Sequence, residues 1–182
     1  EGQPVDLDFD LTRDSKVIPM PAGLIHTWAE SVFPEMSCDL SVPWLKVEDD
    51  PAKKEKYKDK IIINRTQRYF NPYISYYFLK DYQDQIIFSG TEKEHEVFCS
   101  QFNLNIEHLK VDNFYELAQV ISSCKFGVFN QSFNFHLADA LKAKRVLELC
   151  PQFPNTFCTG ANGFQFYRQA ALEFYFSKLI SQ

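Results

Sequence analysis

A chain of 182 residues has room for one main hydrophobic core with an appendage, or for two small domains. Its 45% hydrophobic and 16% aromatic content, Phe alone contributing 18 residues, excludes a disordered class. A net charge of −5 argues against nucleic acid as a partner, and no apolar run reaches the roughly 18 residues a membrane span needs.

The first 50 residues are punctuated by Pro4, Pro19, Pro21, Pro34 and Pro43 and hold few periodic runs. One short amphipathic helix is expected over 22–32, with Leu24, Ile25, Trp28 and Val32 on one face. His26 and Trp28 there read as part of a docking helix, with a ligand wall as the alternative. Asp6, Asp8 and Asp10 alternate as residues on one face of an extended strand do, and no metal is expected there. A charged run from Asp49 to Lys60, rich in Lys, reads as a solvated connection. The expected division is therefore 1–59 as an N-terminal extension or interdomain connection packing on the core, and 60–182 as the main domain.

From Lys60 the pattern is regular. Ile61-Ile62-Ile63 reads as a buried strand. Asn71 with Pro72 then predicts a helix to about Asp81. Gln85-Ile86-Ile87-Phe88 is a second strand, and Thr91-Glu92-Lys93-Glu94 a capping box opening a helix to about Phe102. Leu109-Lys110-Val111 is a short third strand, followed by a helix capped at Asn113 and ending near Ser123. Phe126 to Phe129 is a fourth strand, which breaks at Asn130-Gln131-Ser132 into a helix with Phe133, Leu137, Ala140 and Leu141 on one face. Arg145 to Leu149 is a fifth strand, and a helix over 164–180 closes the chain. Apolar strands alternating with helices imply an α/β, Rossmann-like parallel sheet of about five strands with helices on both faces.

Three loops converge at the carboxyl edge of such a sheet, where ligands bind in open α/β folds. Asn64 to Arg68 supplies the guanidinium groups of Arg65 and Arg68, suited to phosphate oxygens. Ser89 to Glu94 supplies Gly90 for close backbone approach and a helix N-terminus at Thr91. Asn130 to Ser132 supplies Gln131, Ser132 and a second helix N-terminus, and such termini favour anions. Together they read as a diphosphate cradle. His136, one turn after Ser132, is either a donor to a phosphate or ribose or a buried histidine bonded to backbone. His95 and His108 read as surface residues. The sequons at Asn64 and Asn130 fall at the ends of buried strands and are discounted. Cys38, Cys99, Cys124, Cys150 and Cys158 lack zinc-ligand spacing and read as reduced thiols of a cytoplasmic protein.

No G-x-G-x-x-G dinucleotide fingerprint, G-x-x-x-x-G-K-[ST] phosphate loop or G-x-S-x-G nucleophile elbow is present. Neither a cofactor nor a bound metal is expected.

The order strand, Asn64-Arg65-Thr66-Gln67-Arg68, then Phe88-Ser89-Gly90-Thr91 with Glu94, then Phe114 to Ile121, then Asn130-Gln131-Ser132 through His136-Leu137-Ala138 resembles a known family. It is similar to the C-terminal half of the ADP-heptose:lipopolysaccharide heptosyltransferase-like glycosyltransferases, over about residues 60–182. That family's elbow commonly reads Asp-Thr-Gly-x-x-His-Leu. Here His136 and Leu137 match, Gln131 replaces the acid and Phe133 the glycine. The resemblance implies the GT-B fold of two facing Rossmann-like domains, with the nucleotide-sugar donor held mainly by the C-terminal one. It places Arg65, Thr66 and Arg68 in the phosphate loop, Glu94 near a ribose hydroxyl and Asp112 beside the base. It implies metal-independent, inverting transfer to a glycan or lipid-linked acceptor, with the catalytic base on the N-terminal domain, so this chain alone is expected to bind and not turn over. The alternative expectation is a catalytically inactive Rossmann-like structural or protein-binding module, which the Gln131 and Phe133 replacements favour. Single-stranded nucleic acid stacking on Tyr69, Phe70, Tyr73, Tyr76 and Tyr77 is the least favoured reading, since helical spacing buries most of these rings.

Overall fold

The computed structural model describes residues 39–182; the expected helix over 22–32, the Asp6, Asp8 and Asp10 set and Cys38 lie outside them. Strands β1 (Ile61–Asn64), β2 (Ile86–Ser89), β3 (Glu107–Leu109), β4 (Phe126–Asn130), β5 (Arg145–Glu148) and β6 (Gly163–Phe166) form one sheet in the order β3-β2-β1-β4-β5-β6. Every neighbouring pair is parallel. This is the expected α/β, Rossmann-like architecture.

Side chains of a strand alternate between the two faces, and here both faces are buried. Ile61, Ile63, Ile86, Phe88, Phe126, Val128 and Val146 enter one core, while Ile62, Ile87, Phe129 and Leu147 enter the other. A strand buried on both sides has no need of polar alternation, which is why these segments read as continuous apolar runs. The first core is closed by a 3-10 helix (Tyr77–Gln85), α2 (Glu92–Phe102) and α5 (Gln169–Ile180), through Leu79, Phe98, Phe102, Leu172 and Phe176. The second is closed by α1 (Pro51–Tyr57), α3 (Phe114–Ser123) and α4 (Phe133–Leu141), through Tyr57, Leu117, Val120, Ile121, Phe135 and Ala138. Each fully buried side chain of this size contributes roughly 1.5–3 kcal/mol.

Three caps fall where local chemistry placed them. Thr91 Oγ1 accepts from Glu94 N while Glu94 answers to Thr91 N, completing the capping box of α2. Asn113 caps α3 and Ser132 caps α4.

Elsewhere the structure corrects the sequence reading. The Lys-rich run is not simply a solvated connection: Asp50 caps α1, whose lysines sit mostly at the surface while Tyr57 is buried in the core. The helix expected from Pro72 does not form. Asn71 Oδ1 accepts from Tyr73 N in a local turn, the Asn71 carbonyl serves Arg65, and helical geometry begins only at Tyr77, as 3-10. The third strand lies two residues earlier than expected. A sixth strand, β6, pairs with β5 where a helix was expected to begin at Phe164, and α5 starts at Gln169. Phe164 and Phe166 mark that strand by their alternation. The loop before it turns at Gly160, whose φ of +68° suits glycine.

In α4 the buried residues are Asn134, Phe135, Ala138, Asp139 and Ala140; of the expected face, Ala140 is buried and Leu137 and Leu141 pack against the core, while Phe133 is half-exposed. Among the described residues no helix is long and apolar enough to cross a membrane.

The orientation of α5 can be tested with two neighbouring phenylalanines. Phe176 is 1% exposed and Phe174 63%. Phe176→Ala should cost about 3–5 kcal/mol and Phe174→Ala within about 0.5 kcal/mol, read from urea midpoints at constant m-value.

Candidate functional site

The chain leaves β1 towards β2 on one side and β4 towards β5 on the other. This reversal opens a crevice outside the carboxyl ends of β1 and β4. Two cavities lie there, of about 770 Å³ and about 340 Å³. Both are lined by Thr66, Glu94, Ser132 and Phe133, so they form one trough with two ends.

The loop after β1 begins with Asn64, 3% exposed. Its Nδ2 donates to the Ser89 carbonyl at 2.5 Å, tying β1 to β2. Its Oδ1 has no partner and is, among the described residues, the single such buried side-chain nitrogen or oxygen. Asn64 lines the larger cavity, while its Oδ1 is itself shut off from the surface.

Arg65 does not serve the trough as expected. Its guanidinium turns inward and grips Glu148, Nε at 2.9 Å and Nη2 at 3.0 Å from the carboxylate oxygens, and donates to the Asn71 carbonyl at 2.8 Å. Glu148, at 0% exposure, also accepts from Asn71 N at 2.5 Å and Tyr76 Oη at 2.6 Å. Burial, with the adjacent carboxylate, pushes the Tyr76 phenol well above its ordinary range. The correction has a plain cause: a carboxylate without water needs this fork more than a solvent-facing phosphate site does.

The chain then turns outward. Asn130 accepts from Thr66 N at 3.1 Å and donates to the carbonyls of Thr66 and Arg68 at 3.1 and 2.9 Å. Held this way, Tyr69 adopts a φ of +59° and Arg68 is left exposed over the Tyr69 ring, 4.7 Å from its centroid. Arg68 lines the smaller cavity.

At the next loop Gly90 is hemmed in: a Cβ there would lie 2.9 Å from the Phe88 ring, 3.0 Å from the Glu94 carboxylate and 3.2 Å from Asn64 Nδ2. His108 Nε2 donates to the Gly90 carbonyl at 2.9 Å and its ring stacks on His95 at 4.7 Å. His95 Nε2 is 2.9 Å from the Ile106 carbonyl. Both histidines are thus half-buried and partnered, contrary to the surface reading. Asp112 is exposed and lines the larger cavity.

At the β4 elbow, Ser132 Oγ accepts from Phe135 N at 3.4 Å. The Gln131 amide is spent internally, accepting from Cys150 N at 2.7 Å and donating to the Phe153 carbonyl at 2.7 Å and to Asn155. It fastens the loop after β5. Asn134, which the sequence reading did not single out, donates to Ser89 Oγ at 2.8 Å and lines the larger cavity. His136 lies one turn into α4, outside the lining of either cavity. Burial holds its imidazole below the ordinary 6.5, opposed by the charge of Asp139.

The trough therefore has polarity. Its larger end sets Lys110 against Glu92, Glu94 and Asp112, with Leu109, Val111 and Leu117 as apolar wall. Its smaller end sets Arg68 against Glu94, beside the N-terminus of α4. Among the described residues no three His, Cys, Asp or Glu side chains could hold a metal ion. Missed from sequence were Lys110 and Glu148; the signal for Glu148 was a pair of opposite charges, Arg145 and Glu148, bracketing the two apolar residues of one strand.

Neither protein-family models nor curated proteins give a match to this chain. Among solved structures, a glycosyl transferase family 9 protein from Veillonella parvula DSM 2008 is similar at a TM-score of 0.49 and 12% identity. The match covers 84% of this chain and 51% of that one, so the chain spans about half of that protein's length.

Arg65→Ala leaves Glu148 buried without its cation and should cost about 3–5 kcal/mol, whereas Arg68→Ala should stay within about 0.5 kcal/mol; chemical denaturation of both variants checks this. For His136, the unfolded chain binds a proton below about 6.5 that the folded chain resists, so stability is full above that pH and falls on acidification towards the depressed folded value. Urea midpoints at several pH values from 7.5 downward should show this fall in the parent, and His136→Gln should reduce it.

Proposed function

We propose that this chain is the donor-binding half of a GT-B glycosyltransferase, its trough holding a nucleotide-diphosphate sugar for transfer to an acceptor hydroxyl in surface-glycan or lipopolysaccharide synthesis. The observation that carries the reading is the polarity of the trough. Its larger end offers apolar wall and carboxylates, which suit a nucleoside with hydroxyls to donate. Its smaller end offers Arg68 and Ser132 at the start of α4, which suit a diphosphate.

In this reading the acceptor hydroxyl attacks the anomeric carbon of the donor sugar while the bond to the diphosphate breaks. Charge building on the leaving diphosphate meets Arg68 and the N–H groups of α4, without a metal or other cofactor. The base that takes the acceptor's proton comes, by the family resemblance, from a facing domain. Glu94 has one carboxylate oxygen engaged with Thr91 and presents the group to both cavities.

A second reading, a catalytically inactive structural or protein-binding module, draws on the internal use of Arg65 and Gln131, which leaves fewer polar groups for a diphosphate. Isothermal titration with ADP, UDP, GDP and CDP separates the two. The donor reading expects at least one to bind and Arg68→Ala to weaken it roughly 10- to 100-fold. No binding by any of the four would favour the inactive module.

A further inference from the structure

Two phenylalanines stand exposed where a soluble surface gains nothing from them. Phe114 is 65% and Phe133 50% exposed, yet their rings touch, with centroids 4.4 Å apart and planes at 50°. Each is the first residue of its helix, Phe114 following the cap Asn113 and Phe133 following the cap Ser132. Cap chemistry fixes both backbones, so the pair is preset. Both rings line the larger cavity, and Phe133 also lines the smaller one.

Resting on the donor-site reading above, we infer that Phe114 and Phe133 form an aromatic lip that holds the nucleobase of the ligand and makes the trough select nucleotides over other diphosphates. Three observations converge. A tilted pair at this separation covers little of either ring, and half or more of each side chain is still open to stack on a planar group. The apolar wall of Leu109, Val111 and Leu117 lies in the same cavity. The carboxylates of Glu94 and Asp112 line it too, so a lipid or an apolar peptide would have to strip water from charges, whereas a nucleoside brings hydroxyls to them. An occupant with one flat apolar face and a hydroxylated flank fits both.

This gives Phe133 a use. Bulk in place of the glycine of the resembled elbow need not obstruct the phosphates, because the ring leans on Phe114 of the neighbouring helix. Phe133 then stands at the junction of the two cavities, where base and ribose give way to the diphosphate.

The test compares nucleoside diphosphates with inorganic pyrophosphate on the full chain, by titration calorimetry, for the parent, Phe114→Ala, Phe133→Ala and Phe133→Leu. Stacking on a side chain should make each Ala variant bind its best nucleoside diphosphate roughly 5- to 100-fold more weakly, with Phe133→Leu between parent and Ala. Pyrophosphate affinity should stay within about twofold, since it has no base to stack. Both residues are exposed, so melting temperatures should move by no more than about 2 °C, and a larger fall would itself count against a ligand role. Nucleotide affinity unchanged in both Ala variants would overturn the lip while leaving the donor reading intact. Equal losses for nucleotide and pyrophosphate would overturn it too, by showing a general disturbance of the trough. A parent chain that binds no nucleoside diphosphate would remove both readings.

Discussion

The buried carboxylate of Glu148 sets the shape of everything at the carboxyl edge of the sheet. Taking a carboxylate fully out of water costs several kcal/mol even after relaxation. That cost is met only by a complete shell: the fork of Arg65, the Asn71 N–H and the Tyr76 hydroxyl. Each partner comes from the segment after β1, 72 to 83 residues away in sequence. One acid at the end of β5 thereby dictates that the chain after β1 folds inward at Arg65 and again at Asn71. Between those two anchors it has to bulge outward, and Asn130 holds the bulge from the elbow of β4. Arg68 reaches the trough because Arg65 does not.

The other end of β5 repeats the device. Arg145 is also fully buried, with Nε 2.7 Å from Asp139 and Nη1 3.0 Å from each of the Ala143 and Ala161 carbonyls. Asp139 accepts in addition from Thr159 N and from Lys142. This second network fastens the loop before β6, whose Asn162 carbonyl takes the Arg145 N–H. Strand β5 is thus two ions around two apolar residues, Val146 and Leu147, which point into opposite cores. Its sequence, Arg-Val-Leu-Glu, looks poorly suited to the interior until both ends are seen to be paired.

That strand also marks where sequence stops being legible. Features decided within a few residues were readable: the apolar runs of β1, β2 and β4, the Thr91-Glu94 box, the caps at Asn113 and Ser132. Long-range choices were not. A guanidinium fork fits a phosphate and a carboxylate equally well, and nothing near Arg65 says that its partner lies 83 residues on. Gln131 likewise reads as a ligand amide but serves the backbone of Cys150 and Phe153. Asn71-Pro72 carries a valid helix-start signal, overridden because Glu148 and Arg65 claim the Asn71 backbone. Of the expected site, the three loops do meet at the switch point; the assignment of charges within them depended on the interior.

The interior's claim on charge decides how the trough can hold an anion. With Arg65 withdrawn, the smaller end retains Arg68 as its cation beside Glu94, and the larger end is net acidic. A diphosphate placed at the larger end would face Glu92, Glu94 and Asp112 with Lys110 alone to offset them. Placed at the smaller end it meets a guanidinium and the unpaired N–H groups at the start of α4, a fixed partial charge that needs no side chain to be ordered. On the proposed donor reading, phosphate would be held more by backbone geometry than by a cation clamp. On that reading most of the affinity would come from the uncharged part of the ligand, set against the apolar wall and the two exposed phenylalanines.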